Sequence, residues 1–293
     1  MALSDAPANA TEPAPLAEAS TSDLPRYAAL IRAYDCAPVL RYAIQKLQSQ
    51  THPPAEILIV DSSNNPETSA KFAALGARVV LYPDEPFNYS KAINVGVAAN
   101  PHPYTFIISS HVLLDDPGMI AAGFEALRAR ALEIVYWGPR PFSEPEAILT
   151  EIDTRRFNGG NGLSNSAAMV PTQLLRARVF RPEVFSAEDQ EWSRYYFSHV
   201  GKAMLRVESP KFFYLNPNHG MNWSMAKVLN EELAIGHFVN RRLIMPDRIA
   251  ARFLRGILAT LRRRPDRARL HFGVARDLFW ANFRQPTRNS RYF

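Results

Sequence analysis

The chain has a single cysteine, Cys36. It can build neither an intrachain disulfide nor a cysteine-based zinc site, which points to a reducing compartment. No apolar run approaches the roughly 18 residues that cross a bilayer. The first 24 residues hold no Lys or Arg and no apolar stretch, so they do not read as a secretory signal. Their Ala, Pro, Ser and Thr content predicts disorder over residues 1–24. Glycine fingerprints are missing as well. No GxGxxG follows the first apolar run and no GxxxxGK[ST] occurs anywhere, which argues against a dinucleotide dehydrogenase and a P-loop NTPase.

The rest of the composition is ordinary for a globular protein of 293 residues, with 47% hydrophobic and 21% charged residues. The net charge of +6 is unevenly spread: from Arg241 onward there are 14 Arg against 3 Asp, a net of +11, so the preceding residues carry about −5. Basicity therefore belongs to the tail, which could meet an anionic membrane or an acidic partner. Nucleic acid is not expected, because no reader motif accompanies the charge.

Residues 105–117, TFIISSHVLLDDP, organise the reading. Phe106, Ile107 and Ile108 form a short buried-strand run. Ser109, Ser110 and His111 stand at its carboxyl end, where open α/β sheets gather ligands. Asp115, Asp116 and Pro117 read as the start of a helix. Upstream, apolar strands at 27–33, 56–60 and 78–82 alternate with helical spacings at 39–50, 66–74 and 90–99. That alternation predicts a parallel sheet with right-handed crossovers. Asp61 ends the second strand as Ser109 to His111 end the fourth; it is either a ligand contact or a cap for the Ser-rich turn after it.

Four segments in order, LIRAYD, EILIVDSSNNPET, FNYSKAINVGVAA and FIISSHVLLDDP, resemble the N-terminal half of family-2 glycosyltransferases of the GT-A fold. FRPEVFSAEDQEW at 180–192 is similar to the acceptor-side motif of that family, and the likeness is nearest to its rhamnosyltransferase-like branch. It implies an α/β nucleotide-diphospho-sugar transferase fold, with a mostly parallel central sheet flanked by helices over residues 25–235. A basic amphipathic helical extension over 236–293 would follow. The implied activity is inverting transfer of a hexose or deoxyhexose from a nucleotide-diphosphate sugar to a surface-polysaccharide or lipid-linked glycan acceptor. The implied place is the cytoplasm, peripheral on the inner face of the plasma membrane.

In this resemblance Asp189, with Glu188, supplies the base, although acids at a helix start are also ordinary caps. Arg32, Asp35, Asp61, Lys91, Asn94, Ser109 and His111 fall on the donor side. Trp192 and Asn165 fall on the acceptor side, Asn165 within the Gly- and Asn-rich loop RRFNGGNGLSNS, a loop type that often gates sites. Trp192 could instead fill the core. One departure stands out: Ser109-Ser110-His111 replaces the usual Asp-x-Asp. His111 and His219 are the candidate ligands for Mn²⁺ or Mg²⁺, with weak or absent dependence expected because imidazole suits Mg²⁺ poorly. A protonated His111 could instead pair with the diphosphate directly. The same departure keeps open a second reading, a non-catalytic nucleotide-sugar or glycan binding module with a degenerate metal site.

In the tail, apolar residues at 249, 253, 254, 257, 258 and 261, then at 270, 274, 278 and 283, predict two basic amphipathic helices. Their apolar faces could lie in a membrane interface or pack on the domain.

Overall fold

A computed structural model describes residues 24–83, 86–215 and 225–287. His219 and residues 1–23 of the stretch 1–24 expected to be disordered lie outside them, while Leu24, the last residue of that stretch, is buried in the core. Strands and helices alternate as β1 (Tyr27–Ala33), α1 (Pro38–Gln48), β2 (Glu56–Asp61), α2 (Pro66–Ala73), β3 (Arg78–Leu81), α3 (Tyr89–Ala99) and β4 (Tyr104–Ser109). Next come β5 (Val112–Leu114), α4 (Met119–Arg130), β6 (Val135–Pro139), β7 (Ile148–Ile152), β8 (Ala167–Pro171), α5 (Thr172–Ala177), α6 (Glu188–His199), β9 (Met204–Ser209) and β10 (Phe212–Tyr214). The tail forms α7 (Met225–Ala234), a π turn, a 3-10 turn, α8 (Pro246–Leu261) and α9 (Pro265–Trp280).

One large sheet has the order β3-β2-β1-β4-β8-β6-β9-β7. Its first four strands are parallel, as the sequence predicts, while β8 runs antiparallel to β4 and to β6. Strand β1 shows why these apolar runs become central strands. Tyr27, Ala29 and Ile31 enter the core on one face, and Ala28 and Leu30 enter the core on the other. Both faces are covered by helices, so the run has no polar side to present. Gly96 lets α3 lie close on this sheet: a Cβ there would come 2.1 Å from Leu30 Cδ1 and 2.9 Å from Val60 Cγ2.

Parallel pairing aligns the carboxyl ends. Arg32 is in register with Ser109, and Ala33 with Asp61. The strand order places β1 between β2 and β4, so the crevice at these ends is a topological switch point, where open sheets take ligands.

Two helix starts differ from the sequence reading. The helix expected from Asp115 begins at Met119, because Asp115 pairs with Lys46 Nζ at 2.6 Å and Asp116 Oδ1 instead accepts from Gly118 N at 2.8 Å. Helix α6 begins at Glu188, so Glu188 and Asp189 occupy its first turn instead of standing before it as caps. The tail is built into the body on one side. Val274 and Leu278 of α9 share a core with Leu233, Phe238, Val184 and Phe185. Helix α8 packs on α9 and leaves Phe253, Leu254, Leu258 and Leu261 exposed. Among the described residues no helix is long and apolar enough to cross a membrane.

Candidate active site

The crevice at the ends of β1 and β4 meets the start of α6. Ala187, just before that helix, adopts φ 54°, and its carbonyl accepts from Gln190 N at 3.0 Å and Glu191 N at 3.2 Å. A non-glycine residue in this left-handed region is uncommon and is worth noting beside a site. It turns the chain sharply, so that two acids lead the helix. Glu188 Oε1 lies 3.7 Å from Arg32 Nη1, joining α6 to the end of β1. Asn165 bridges the pair: its side-chain amide donates to Glu188 at 3.1 Å and its backbone N–H to Asp189 Oδ2 at 3.1 Å. Asn165 Oδ1 is buried without a hydrogen-bond partner.

Asp189 is the most perturbed acid of the group. Burial, and then the neighbouring Glu188 charge, push its carboxyl from 3.8 up to about 7. The hydrogen bonds from Asn165 and Gln190 pull the other way and are outweighed. An N-terminal helix position would favour the ionised form by only about 0.3–1 kcal/mol. Such a carboxyl can hold or release a proton near neutrality.

His111 stands across Arg32 from the acid pair. Its carbonyl accepts from Leu215 N at 2.8 Å and its ring meets Tyr214 edge-on at 4.6 Å. Burial first, then the Arg32 and Lys227 charges, lower its imidazole to about 4. The ring is therefore neutral at pH 7, which corrects the expectation of a protonated His111 pairing with a diphosphate. Its Nε2 is buried and unpartnered. Ser109, at the end of β4, donates its backbone N–H to Ser166 O at 3.0 Å.

Sequence reasoning missed several residues here. Tyr89, at the start of α3, has the expected Arg32 5.1 Å over its ring. Lys227 and Glu231, paired at 3.7 Å on α7, reach the same region: Lys227 acts on His111, and Glu188 raises Glu231 after burial does. Their i,i+4 spacing is the only local signal, and it says nothing of a site built from residues 32, 111, 165, 188 and 189.

Other expected residues are placed elsewhere or otherwise engaged. Asp61 is fully buried, and its carboxylate accepts from Ser63 N at 2.7 Å and Ser69 Oγ at 2.5 Å, so it anchors its own turn. Asn94 clasps the Phe180 backbone, donating to O at 2.7 Å and accepting from N at 2.9 Å, which occupies its amide. Trp192 is 1% exposed, stacks between Phe180 and Tyr196, and donates Nε1–H to Arg178 O at 2.7 Å. It fills the core and does not floor a sugar site. Lys91 is partly buried on α3, and Asp35 is exposed in the turn after β1.

The Gly-rich loop is fastened rather than free as a gate. Gly162 N donates to Gln190 Oε1 at 2.9 Å, Leu163 N to Ser193 Oγ at 2.7 Å, and Gln190 Nε2 to Leu163 O at 2.7 Å. Gly162 suits this approach, since a Cβ there would meet Ser193 at 2.5 Å.

The described residues offer a metal a poor fit. Among the described residues no group of three or more His, Cys, Asp and Glu could hold one. The strand end offers one imidazole and serine hydroxyls, and the charges acting on that imidazole are both cationic. A hard divalent ion is usually held by carboxylate oxygens, and the end of β4 supplies none.

The model of the family described as Glycosyl transferase family 2 matches residues 29–156. No curated protein matches the chain. Among solved structures, it is similar to the mannosyltransferase PcManGT from Pyrobaculum calidifontis, solved with GDP-Man and Mn²⁺, at TM-score 0.56 and 15% identity over 90% of this chain and 74% of that one. It is similar to residues 1-349 of S. aureus TarS at TM-score 0.54 and 15% identity, over 86% and 88% of the two chains. A third is glucosyl-3-phosphoglycerate synthase from Mycobacterium tuberculosis, solved with Mn²⁺, UDP and phosphoglyceric acid, at TM-score 0.53 and 15% identity over 74% and 80%. At these identities the likeness is one of fold, and the fold is that of GT-A glycosyltransferases. The matched segment and this fold together support a glycosyltransferase.

Proposed function

We propose that the chain is an inverting glycosyltransferase in which Asp189 is the base and protein cations take the part usually given to a metal. The observation that carries the reading is the contact between Arg32 and Glu188. It joins the end of β1, where a diphosphate would lie, to a carboxyl pair whose second member is poised near neutrality.

The chemistry follows from charge. As an acceptor hydroxyl attacks the anomeric carbon, its oxygen must lose a proton, and Asp189 can take it. The bond to the nucleoside diphosphate breaks on the opposite face, which inverts the configuration. Negative charge grows on the departing phosphate, and fixed positive groups there lower the barrier. Arg32 and Lys227 are the cations that act on His111, and neutral His111 can offer one N–H from its unpartnered Nε2. Asn165 holds both acids and meets the acceptor side. Asp35, Lys91 and Ser109 remain donor-side candidates by position.

The acceptor we propose is a surface polysaccharide or lipid-linked glycan in the cytoplasm at the inner face of the plasma membrane. The arginine-rich tail, with the exposed apolar stripe of α8, would meet the anionic surface. A donor screen tests the function: nucleotide-diphosphate sugars are added to the full chain in EDTA, and melting temperature and nucleotide release are read. One donor should stabilise and turn over without added metal. The binding-module reading, favoured by the loss of the Asp-x-Asp carboxylates, requires stabilisation with no turnover for any acceptor.

A further inference from the structure

Helices α8 and α9 touch where Phe272 lies over Gly256, and a Cβ at Gly256 would come 2.7 Å from that ring. Toward the start of α8 and the end of α9 they part around a groove of about 720 Å³. That is within the ~300–1,000 Å³ of small-molecule clefts. Ile249, Ala250, Phe253, Phe279 and Phe283 contribute to its walls. The polar side chains there are Arg276, which pairs with Asp277 at 2.9 Å, and Asn282, whose amide donates to Ile244 O at 2.9 Å and Leu278 O at 3.1 Å.

The opposite face of α9 is spent on the protein core through Val274 and Leu278. The groove therefore opens away from the body. Helix α8 also exposes Leu254, Ile257, Leu258 and Leu261, between 38% and 74%. Exposed arginines stand at the groove's end of the helix pair: Arg241, Arg242 and Arg248 before and at the start of α8, and Arg284 beside Phe283. The walls offer only two polar side chains, too few to pair the N–H and C=O groups of a peptide backbone along the groove, and such a backbone is expensive to desolvate unpaired. A hydrocarbon chain makes no such demand. The cationic frame suits an anionic headgroup at the mouth.

We propose that the groove between α8 and α9 takes one acyl chain of an anionic membrane lipid, so that the tail holds a lipid and does not merely lie on the surface. The inference rests on the membrane contact described under the proposed function.

The test uses the full chain and two probes. The first is flotation with vesicles of equal parts phosphatidylglycerol and phosphatidylcholine. The second is calorimetric titration with dodecyl phosphate below its micelle-forming concentration. Wild type should float with the vesicles and bind dodecyl phosphate saturably at one per chain. Ala250→Trp, which fills the groove from an exposed position, should weaken dodecyl phosphate binding at least tenfold. Phe253→Ser should weaken it similarly, and serves where Ala250→Trp does not fold by circular dichroism. Nucleotide-sugar binding should be unchanged in both. Absence of flotation overturns the membrane contact and the lipid with it. Flotation with dodecyl phosphate unbound, or bound equally well by both variants, overturns the groove alone. A dimer in light scattering that Ala250→Trp dissociates makes a second copy the occupant and overturns the proposal.

Discussion

Asp189→Asn should separate function from stability. Moving the carboxyl from 3.8 to about 7 disfavours its ionised form by roughly 4 kcal/mol, at about 1.4 kcal/mol per pH unit. The pKa is raised in the folded state, so the contribution is fully present below the unfolded value near 4 and is lost as pH rises through about 7. The carboxylate keeps hydrogen bonds to both oxygens, from Asn165 N and Gln190 N, and the amide retains only one acceptor. Losing one such bond returns about 1–2 kcal/mol. The variant should therefore be about 2 kcal/mol more stable than wild type at pH 8 and no more stable at pH 4. Its transfer rate should fall by about 10²–10⁴ with donor affinity unchanged. Urea melts at the two pH values and a nucleotide-release assay read both quantities. An Asn variant with wild-type turnover, or one whose stability difference from wild type does not change with pH, would refute the reasoning.

Other perturbations have equally definite outcomes. His111→Ala should weaken nucleoside diphosphate binding about tenfold by calorimetry, as expected for the loss of one hydrogen bond to a charged group; the loss should be the same at pH 6 and pH 8, because the ring is neutral throughout. Arg32→Met with Lys227→Met should lower kcat at least tenfold, and added Mn²⁺ should not restore it. Gly96→Ala should destabilise the fold by about 1–3 kcal/mol in denaturant, from overpacking against Leu30 and Val60. Trp192→Phe should lower stability by about 1–3 kcal/mol through the unpaired Arg178 carbonyl, and leave the acceptor KM unchanged.

The sheet from β1 to β4 was legible because each strand is an apolar run buried on both faces, and each crossover helix carries its own spacing. Asn94-Val95-Gly96 was legible as a motif, yet its physical sense is packing: Asn94 ties down Phe180 and Gly96 lets α3 approach the sheet. Asp61 shows the limit of reasoning by position. It sits at the correct strand end, but Ser63 and Ser69 engage its carboxylate, as the Ser-rich turn already hinted. Asp189 was identified by resemblance, while its perturbation depends on Asn165, Gln190 and Glu188 meeting in space. Lys227 and Glu231 on α7, Tyr89 on α3 and Tyr214 on β10 come from three separate elements, and no local pattern joins the three. In the tail, spacing gave both helices but could not say that α9 spends its face on Leu233 and Phe238 while α8 does not.

The central claim is metal-free inversion at the crevice of β1, β4 and α6. A proton NMR time course of nucleotide-sugar turnover by the full chain in EDTA tests it most directly, through the configuration of the first product formed. The account predicts turnover without metal and a product whose anomeric configuration is opposite to that of the donor. A product of retained configuration, or no turnover until Mn²⁺ is added, would contradict it.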